Sequence, residues 1–329
     1  MTTKTFSKEA LRLDYAKEAD RISEVIREHV MRNFRKKGLV IGLSGGIDSS
    51  VVAGLSVRAL GKDRVLGLLM PERDSSSETL PLSQQLAKHL GIQTVHEDIT
   101  GILEATKCYQ RRDDAIRLVI PDYGPGWKSK IVLPNVLDED QFRLFTVVAQ
   151  SPSGEQIEVR LTMEAYLGIV AATNFKQRTR KMLEYYHADR LNYAVAGTPN
   201  RLEYDQGFFV KLGDGSADVK PIAHLYKSQV YRMAEFLKLP DAICKRGPTT
   251  DTYSLPQTQE EFYFSVPYDK MDLVLFGKNQ GLSPADVAPA VGLTVEQAGM
   301  VFRDIEAKRR VAHYLHAVPV LVENLHANA

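Results

Sequence analysis

Residues 39–50 read LVIGLSGGIDSS, a short apolar run that leads through two glycines into a serine-rich polar turn. The apolar run at 39–44 predicts a buried strand, and a helix is predicted from about Ser49 to Leu60. Two glycines between a strand and a helix let the backbone approach a ligand closely and turn its N–H groups toward it. The N-terminus of the helix adds its dipole. We therefore expect an anion-binding loop at residues 44–50.

The polar side chains of this loop suit a nucleoside triphosphate. Ser44, Ser49 and Ser50 provide hydroxyl donors, and the Asp48 carboxylate is expected beside phosphate when it holds a divalent cation. The loop is neither a Walker A sequence, which requires GxxxxGK[ST], nor a dinucleotide fingerprint, which requires GxGxxG. A tight turn without a ligand is the alternative, but it gives the serines and the aspartate no role.

Outward from this loop, short apolar runs alternate with helices, which is typical of a parallel sheet covered on both faces. The predicted fold class is therefore α/β, a doubly wound, mainly parallel sheet flanked by helices, within a single domain of residues 1–329 whose C-terminal part is helical. Strands are predicted at 39–44, from Val65, from Ile92 and at 191–197, and helices at 7–37, 49–60, up to His89, at 164–187 and at 227–237.

Residues 101–163 depart from this alternation. A proline- and glycine-rich cluster, PDYGPGWK, contains Trp127 and precedes the runs FRLFTVVAQ and EQIEVRLTM, which SPSGE joins. The partly alternating runs predict a β-hairpin, inserted at about residues 108–162, and a decorative loop is the alternative. Trp127 either caps a pocket or packs within the insertion.

Composition and charge exclude several classes of protein. The 329 residues are 44% hydrophobic and 25% charged, which is typical of a globular chain with a sizeable core. The formal net charge is +1, so no overall positive field attracts nucleic acid or anionic lipid. The apolar runs are all too short to span a membrane, and the charged N-terminal sequence lacks the apolar region of a signal peptide, so we expect a cytoplasmic protein. Cys108 and Cys244 match no zinc or disulfide spacing.

A second carboxylate is expected near the loop. Gly197, Thr198 and Pro199 predict the end of a strand and the start of a helix, with Thr198 as N-cap and Pro199 at the first helical position. Glu203 then lies at the same edge of the sheet as Asp48, where open α/β sheets bind ligands. Two carboxylates at that edge can share one Mg²⁺. Taken alone, Glu203 fits a solvated helix position better than a metal ligand.

Two basic residues are candidates for anion contacts, and two histidines are not candidates for a metal. Lys227 begins a predicted helix, where its charge opposes the dipole unless an anion is close; a surface lysine is the alternative. Arg178 offers a planar fork of donors that suits carboxylate or phosphate, although with Arg180 it could form a solvated charged face. His313 and His316 lack a third ligand at suitable spacing and are interpreted as structural.

SGGIDSS resembles the pyrophosphate-binding loop of the N-type ATP pyrophosphatases, which cleave ATP between its α- and β-phosphates and activate a substrate as an adenylate. Other segments resemble the ammonia-dependent NAD synthetases of that superfamily, so the chain is identified as a member of that family, with an adenine nucleotide alpha hydrolase-like fold. These segments are NFKQRTRK (174–181), GTPNRLE (197–203), GFFVKLGDGSAD (207–218), LYKSQ, GPTTD and PYDKMD (267–272).

The resemblance implies the following site. ATP contacts fall on Ser44, Gly45, Gly46, Ile47, Asp48, Ser49, Ser50, Thr198, Lys227 and Thr249. Deamido-NAD contacts fall on Arg178, Lys211, Asp218 and Lys308, and Mg²⁺ is held by Asp48 and Glu203. Catalytic roles fall on Asp48 and Lys227, and Asp214 is a further hypothesis as a proton acceptor from ammonium, since an Asp between glycines is otherwise a turn former.

The implied reaction is adenylation of the nicotinate carboxylate of deamido-NAD, followed by amidation with ammonia to give NAD, AMP and pyrophosphate. No sequence context around either cysteine resembles a glutaminase, so free ammonia or a separate glutaminase subunit supplies the nitrogen. The resemblance also implies a homodimer, in which the first helix and the helix from Glu164 are expected to form contacts.

Two departures from the compact family members concern the acceptor. Residues 98–174 form a longer stretch, and Ala307 stands where the family has histidine. One alternative is therefore a related adenylating amidase acting on nicotinate mononucleotide or another carboxylic acid. A tRNA thiolase using Cys108 and Cys244 is disfavoured by the neutral charge and the lack of a basic, aromatic stripe. A non-catalytic nucleotide-binding protein would leave Asp48 and Glu203 unexplained.

Overall fold

A computed structural model describes residues 6–133, 145–248, 252–264 and 266–323. The strands in these ranges are β1 (Leu39–Gly42), β2 (Val65–Leu69), β3 (Gln93–His96), β4 (Lys128–Val132), β5 (Thr146–Gln150), β6 (Gln156–Arg160) and β7 (Ala194–Val195). The α-helices are α1 (Tyr15–Arg27), α2 (Ile47–Leu60), α3 (Thr79–Leu90), α4 (Thr100–Ala105), α5 (Cys108–Arg117), α6 (Met163–Leu191), α7 (Arg201–Gln206), α8 (Lys227–Phe236), α9 (Asp241–Cys244), α10 (Tyr268–Asn279), α11 (Pro284–Val291) and α12 (Val295–His316).

The main sheet is parallel, in the order β3-β2-β1-β7. Leu39 of β1 pairs with Val65 on one side and with Ala194 on the other. Leu39 and Ile41 enter one buried cluster and Val40 enters another, so both faces of the sheet are covered. The predicted α/β class is therefore confirmed. Because the strand order reverses beside β1, the crevice at its carboxyl end is the expected ligand position.

The C-terminal part is helical, as predicted. Helices α10, α11 and α12 pack together around a second buried cluster, which includes Leu273, Val274 and Ile305. Within the described ranges, no helix has the length and apolar character needed to cross a bilayer.

The inserted region forms a separate antiparallel sheet, in the order β4-β5-β6. The predicted hairpin corresponds to β5 and β6, although residues 142–144 of its first run lie outside the described ranges. The sequence did not predict β4, which pairs Ile131 with Val147. These residues share a core with Tyr123 and with the first turns of α6, and Trp127 packs there against Tyr123 at a centroid distance of 5.7 Å. The boundaries of the insertion stay a prediction.

The prediction of one continuous helix at 7–37 is wrong, because the segment contains three helical elements. A short 3-10 helix, Lys8–Leu11, precedes α1, which starts where the Asp14 side chain accepts a hydrogen bond from the Lys17 amide at 3.1 Å. A π-helical turn, Glu28–Asn33, ends the segment. The helical spacing of the apolar residues was predicted correctly. The start of α1 was missed because Asp14 accepts from the Lys17 amide, which has no partner within the helix, and so places the first turn there.

Candidate active site

A cleft of ≈ 740 Å³ opens at the carboxyl ends of β1 and β2. The predicted anion-binding loop at residues 44–50, called the phosphate loop below, forms one end, and α6 runs along one wall. Thr198 and Lys227 also line the cleft, as the sequence predicted, together with the predicted residues Arg178, Lys211 and Asp214.

The loop at residues 44–50 is held by its own hydroxyl groups. The Ser50 hydroxyl donates to the Gly46 carbonyl at 2.8 Å, and the Ser49 hydroxyl donates to the same oxygen at 3.1 Å. Gly45 has φ +68°, and a Cβ there would lie 3.0 Å from Leu82 Cβ and from the Thr79 carbonyl, so a side chain is excluded. These bonds leave the start of α2 facing the cleft.

Five of the seven predicted loop residues line the cleft and two lie behind it. Gly45 and Ser50 are not among the lining residues, and Ser50 is fully buried. The predicted hydroxyl donor at Ser50 therefore stabilises the loop in this structure. The lining residues are Ser44, Gly46, Ile47, Asp48 and Ser49.

A charged cluster lies beside the loop at the first turn of α2. The Lys227 ammonium contacts Asp48 Oδ2 at 2.5 Å, and the Lys227 side chain is 2% exposed. The Asn200 amide donates to Asp48 Oδ1 at 3.0 Å. Glu203 Oε2 accepts from the Asn200 amide N–H at 3.1 Å, and Glu203 Oε1 accepts from the Gln259 side chain at 3.0 Å. Two carboxylates and one ammonium thus converge at the edge of the sheet.

The electrostatics of this cluster shift two pKa values. Burial and the charge of Asp48 raise the pKa of Glu203 to about 8. Burial acts to lower the pKa of Lys227, but the carboxylates of Asp48 and Glu203 outweigh it and raise that pKa. Lys227 is therefore cationic at neutral pH, and burial beside Asp48 favours the protonated form of Glu203.

The predicted start of α7 is wrong. Thr198 was expected as N-cap with Pro199 following, but Asn200 caps the helix and accepts from the Leu202 and Glu203 amides at 2.9 and 3.3 Å. Glu203 returns a bond to the Asn200 amide, which completes a capping box. The Asn200 side chain accepts from two amides and its own backbone amide donates to Glu203, and this reciprocal pair of caps explains the later start. The cap also holds Glu203 toward Asp48.

Asp272, which was not a candidate from the sequence, holds the start of α8. Its two carboxylate oxygens accept from the Lys227 and Ser228 amides at 3.1 and 2.7 Å. Burial raises the pKa of Asp272 to about 6, although the hydrogen bonds from these two amides act to lower it. This carboxylate also offsets the unfavourable position of a lysine at a helix N-terminus.

Three of the predicted residues, Arg178, Lys211 and Asp214, lie together along the cleft. The Arg178 guanidinium donates to the Lys211 carbonyl at 3.3 Å. Lys211 donates to the Tyr314 and Ala317 carbonyls at 2.8 and 3.0 Å, at the end of α12. Asp214 accepts from the Val210 amide at 2.8 Å, and burial raises its pKa.

Some residues implied by the resemblance are not brought to the cleft. Asp218 Oδ2 accepts from the Val195 amide at 2.7 Å and lines a smaller cavity elsewhere. The Lys308 ammonium contacts Asp304 at 2.7 Å and the Tyr263 carbonyl, and Lys308 does not line the cleft. Thr249 lies outside the described residues. The roles of these three residues stay predictions.

Several residues of the site were missed from sequence. Asn200 had a local signal, because Asn followed three residues later by Glu is a capping pattern. Gln259 had none, since its contact to Glu203 spans 56 positions. The Lys181–Glu184 pair, at 2.5 Å, also lines the cleft.

The two cysteines do not face the cleft. Cys108 is buried and its thiol lies 3.2 Å from the Ala172 carbonyl, while Cys244 lies in α9. Neither lines the cleft, so their placement gives no support to a thiolase site.

A parallel α/β sheet with a glycine–serine phosphate loop at its carboxyl edge, faced by a lysine and two carboxylates, defines an enzyme of the ATP pyrophosphatase class. The sequence model of the NAD synthase family matches residues 18–119 and 152–312. The chain belongs to the NAD synthase family. The match leaves out residues 120–151, which hold β4 and β5.

Individual relatives agree with this assignment. The NH(3)-dependent NAD(+) synthetase of Rhizobium meliloti (strain 1021) is 59% identical over 318 residues, which are 97% of this chain and 95% of the relative. A solved NMN synthetase from Francisella tularensis has a TM-score of 0.66 at 22% identity, covering 94% of this chain and 99% of that one. An NH3-dependent NAD synthetase from Campylobacter jejuni has a TM-score of 0.63 at 23% identity, covering 95% and 100%. The two structural likenesses concern the fold alone.

Proposed function

We propose that the chain is an ammonia-dependent NAD synthetase, a ligase that adenylates the nicotinate carboxylate of deamido-NAD with ATP and amidates it with ammonia. The observation that carries the proposal is the cluster of Asp48, Glu203 and Lys227 at the mouth of the phosphate loop. The cleft continues from that cluster along α6 to Arg178, so two anionic substrates can meet in it. The curated relative at 59% identity bears the same activity in its name.

The proposed reaction needs no covalent enzyme intermediate. The nicotinate carboxylate attacks the α-phosphorus of ATP, and the amides of residues 44–49 together with the Lys227 ammonium stabilise the charge on the departing pyrophosphate. Ammonia then attacks the acyl carbon of the adenylate, the bond from that carbon to the AMP oxygen breaks, and the nitrogen gives one proton to the departing phosphate. Asp214, whose pKa burial raises, accepts the proton that ammonium loses on entering the site. The enzyme acts mainly by holding both substrates in line.

The residues present fit a magnesium ion. Asp48 and Glu203 supply oxygen ligands only, and their mutual repulsion is what a divalent cation relieves. Mg²⁺ commonly binds one or two carboxylates and completes its shell with phosphate and water. When bound, the ion would neutralise charge on the phosphates of ATP. We propose Asp48 and Glu203 as its protein ligands, oriented by Asn200 and Gln259.

The proton on Glu203 predicts a pH-dependent metal affinity. The pKa of about 8 means that the metal-free protein holds this carboxyl mostly protonated at neutral pH, and a cation must displace the proton. The affinity for Mg²⁺ should therefore rise with pH up to about 8 and level off above it. Binding of Mg²⁺ at neutral pH should release close to one proton. Calorimetry in buffers of different ionisation enthalpy measures that proton.

Glu203→Gln is the matched control, since it keeps the size of the side chain and removes the titration. It should bind Mg²⁺ weakly and with little pH dependence. An affinity of the unmodified protein that stays constant from neutral pH to above 8 would contradict the assignment of Glu203 as a ligand.

We also propose a homodimer in the cytoplasm, supplied by free ammonia or by a separate glutaminase. The helix α6 supports the dimer, because Leu167, Met182 and Tyr186 are 55%, 55% and 59% exposed on it. Exposed apolar side chains on one long helix are typical of a protein contact surface. Helix α1 is the second proposed contact element.

The choice of acceptor can be tested directly. ATP, Mg²⁺ and ammonium are mixed with deamido-NAD, nicotinate mononucleotide, free nicotinate or aspartate in turn, and pyrophosphate, AMP and amide are measured. We expect the three products in equal amounts, with the highest kcat/KM for deamido-NAD. The mononucleotide alternative is not favoured, since relatives at 59% and 58% identity are named NAD synthetases. Faster turnover of the mononucleotide, or release of orthophosphate and ADP, would overturn the proposal.

A further inference from the structure

Helix α6 runs along the cleft, and the rise of the helix gives the length of the cleft. Glu184 lies against the end of β1 that feeds the phosphate loop, since a Cβ on Gly42 would lie 2.8 Å from Glu184 Oε1. At 1.5 Å per residue, the helix rises roughly 27 Å from Tyr166 to Glu184. Residues of α6 at spacings of three and four line the cleft along this length, among them Tyr166, Val170, Thr173, Gln177, Lys181 and Glu184.

The far end of the cleft is lined by two aromatic rings, one beside the inserted sheet and one in the first turn of α6. Phe145 directly precedes β5, and its carbonyl accepts from the Leu161 amide at 2.9 Å, which fixes it to the neighbouring strand's end. The Phe145 ring stacks on the Tyr166 ring, with centroids 4.1 Å apart and planes 14° apart. Both side chains are partly exposed and line the cleft. Phe145 lies in the stretch that the family match leaves out.

The two ends of the cleft suit the two ends of a dinucleotide. The reacting ring must lie near the phosphate loop, where ATP binds under the proposed function. Arg178 lines the cleft between the two ends of α6, where its guanidinium can meet a pyrophosphate. A dinucleotide carries a second base beyond that pyrophosphate, whereas a mononucleotide ends before it.

We propose that Phe145 and Tyr166 form a stacking subsite for the second aromatic base of the acceptor, so that the inserted sheet selects a dinucleotide over a mononucleotide. This inference rests on the proposed function. Aromatic side chains bind bases by stacking without requiring hydrogen bonds, so the two rings can supply the selectivity.

The test uses Phe145→Leu in the full-length enzyme, which keeps apolar packing and removes the ring. We expect the KM for deamido-NAD to rise about tenfold, with kcat and the KM for ATP unchanged. The inhibition constant of nicotinate mononucleotide, which lacks the second base, should stay the same. Tyr166→Leu should give the same pattern, and Tyr166→Phe should behave as the unmodified enzyme.

Trp127→Leu is the matched control, because Trp127 packs in the same inserted core but does not line the cleft. It should change neither KM. If Trp127→Leu reproduces the effect of Phe145→Leu, or if mononucleotide and dinucleotide weaken together, Phe145 acts by packing alone and the subsite is overturned. An unchanged KM for deamido-NAD in both leucine variants also overturns it, and leaves the proposed function intact. Failure of the unmodified enzyme to amidate deamido-NAD would instead refute the proposed function itself.

Discussion

Replacing Lys227 by methionine is expected to lower kcat for amide formation by about 10²–10³-fold, the usual loss when one charge-stabilising donor is removed from a developing anion. The ammonium lies 2.5 Å from Asp48, and the two carboxylates keep it charged by raising its pKa. Methionine has similar length and apolar volume, so the packing of α8 is retained. Steady-state kinetics at saturating substrates measure the loss.

The matched control is Lys245→Met. Lys245 forms an exposed pair with Asp241 at 2.7 Å and does not line the cleft, so its loss should leave kcat unchanged. A Lys227→Met enzyme within about threefold of normal kcat would refute a charge-stabilising role. Full recovery of that variant at high Mg²⁺ would also refute it, because the lysine would then only balance the charge of Asp48.

Lys176→Met is expected to lower the free energy of unfolding by about 3–5 kcal/mol, because it leaves the buried Glu72 carboxylate without a counter-charge, whereas Asp74 keeps Arg112. The Lys176 side chain is 1% exposed, and its ammonium contacts Glu72 at 2.8 Å, Asp74 at 3.0 Å and the Thr252 carbonyl at 2.9 Å. Burial acts to raise the pKa of Asp74, but Lys176 and Arg112 outweigh it and lower that pKa. Urea unfolding followed by circular dichroism measures the change.

Two further variants make this prediction specific. Lys17→Met removes a lysine that is 87% exposed and paired with Asp14, and it should change stability by less than about 1 kcal/mol. Adding Glu72→Gln to Lys176→Met removes the orphaned charge while the Tyr109 hydroxyl keeps an acceptor. The double variant should be more stable than Lys176→Met alone. If the second change destabilises further, buried charge is not the cause.

The parallel sheet and its loop could be predicted because their signals are local. Residues 39–50 contain the strand, both glycines and the helix start within one short stretch, and backbone geometry decides each of them. The helix start at Asn200 was missed for a competing local reason, since Thr198 and Pro199 also form a favourable start sequence. The reciprocal hydrogen bonds between Asn200 and Glu203 place the start of the helix at Asn200. The capping pattern, Asn followed three residues later by Glu, would have predicted this start from the sequence.

Contacts between residues that are far apart in the sequence could not be predicted. Lys176 meets Glu72 across 104 positions, and Gln259 meets Glu203 across 56. Single-sequence periodicity gives no information on such pairs. The resemblance transferred residue types to Asp218 and Lys308 but not their surroundings, which in this chain are a backbone amide and the Asp304 carboxylate.

The inserted sheet has its own core, separate from the clusters that cover the parallel sheet. Substitutions at its apolar positions can therefore reshape the far wall of the cleft without repacking the strands that hold the phosphate loop. Under the proposed stacking subsite, ATP chemistry and acceptor choice fall on two different buried clusters, which α5 and α6 connect. The acceptor preference could then be engineered while the residues of the phosphate loop are left in place.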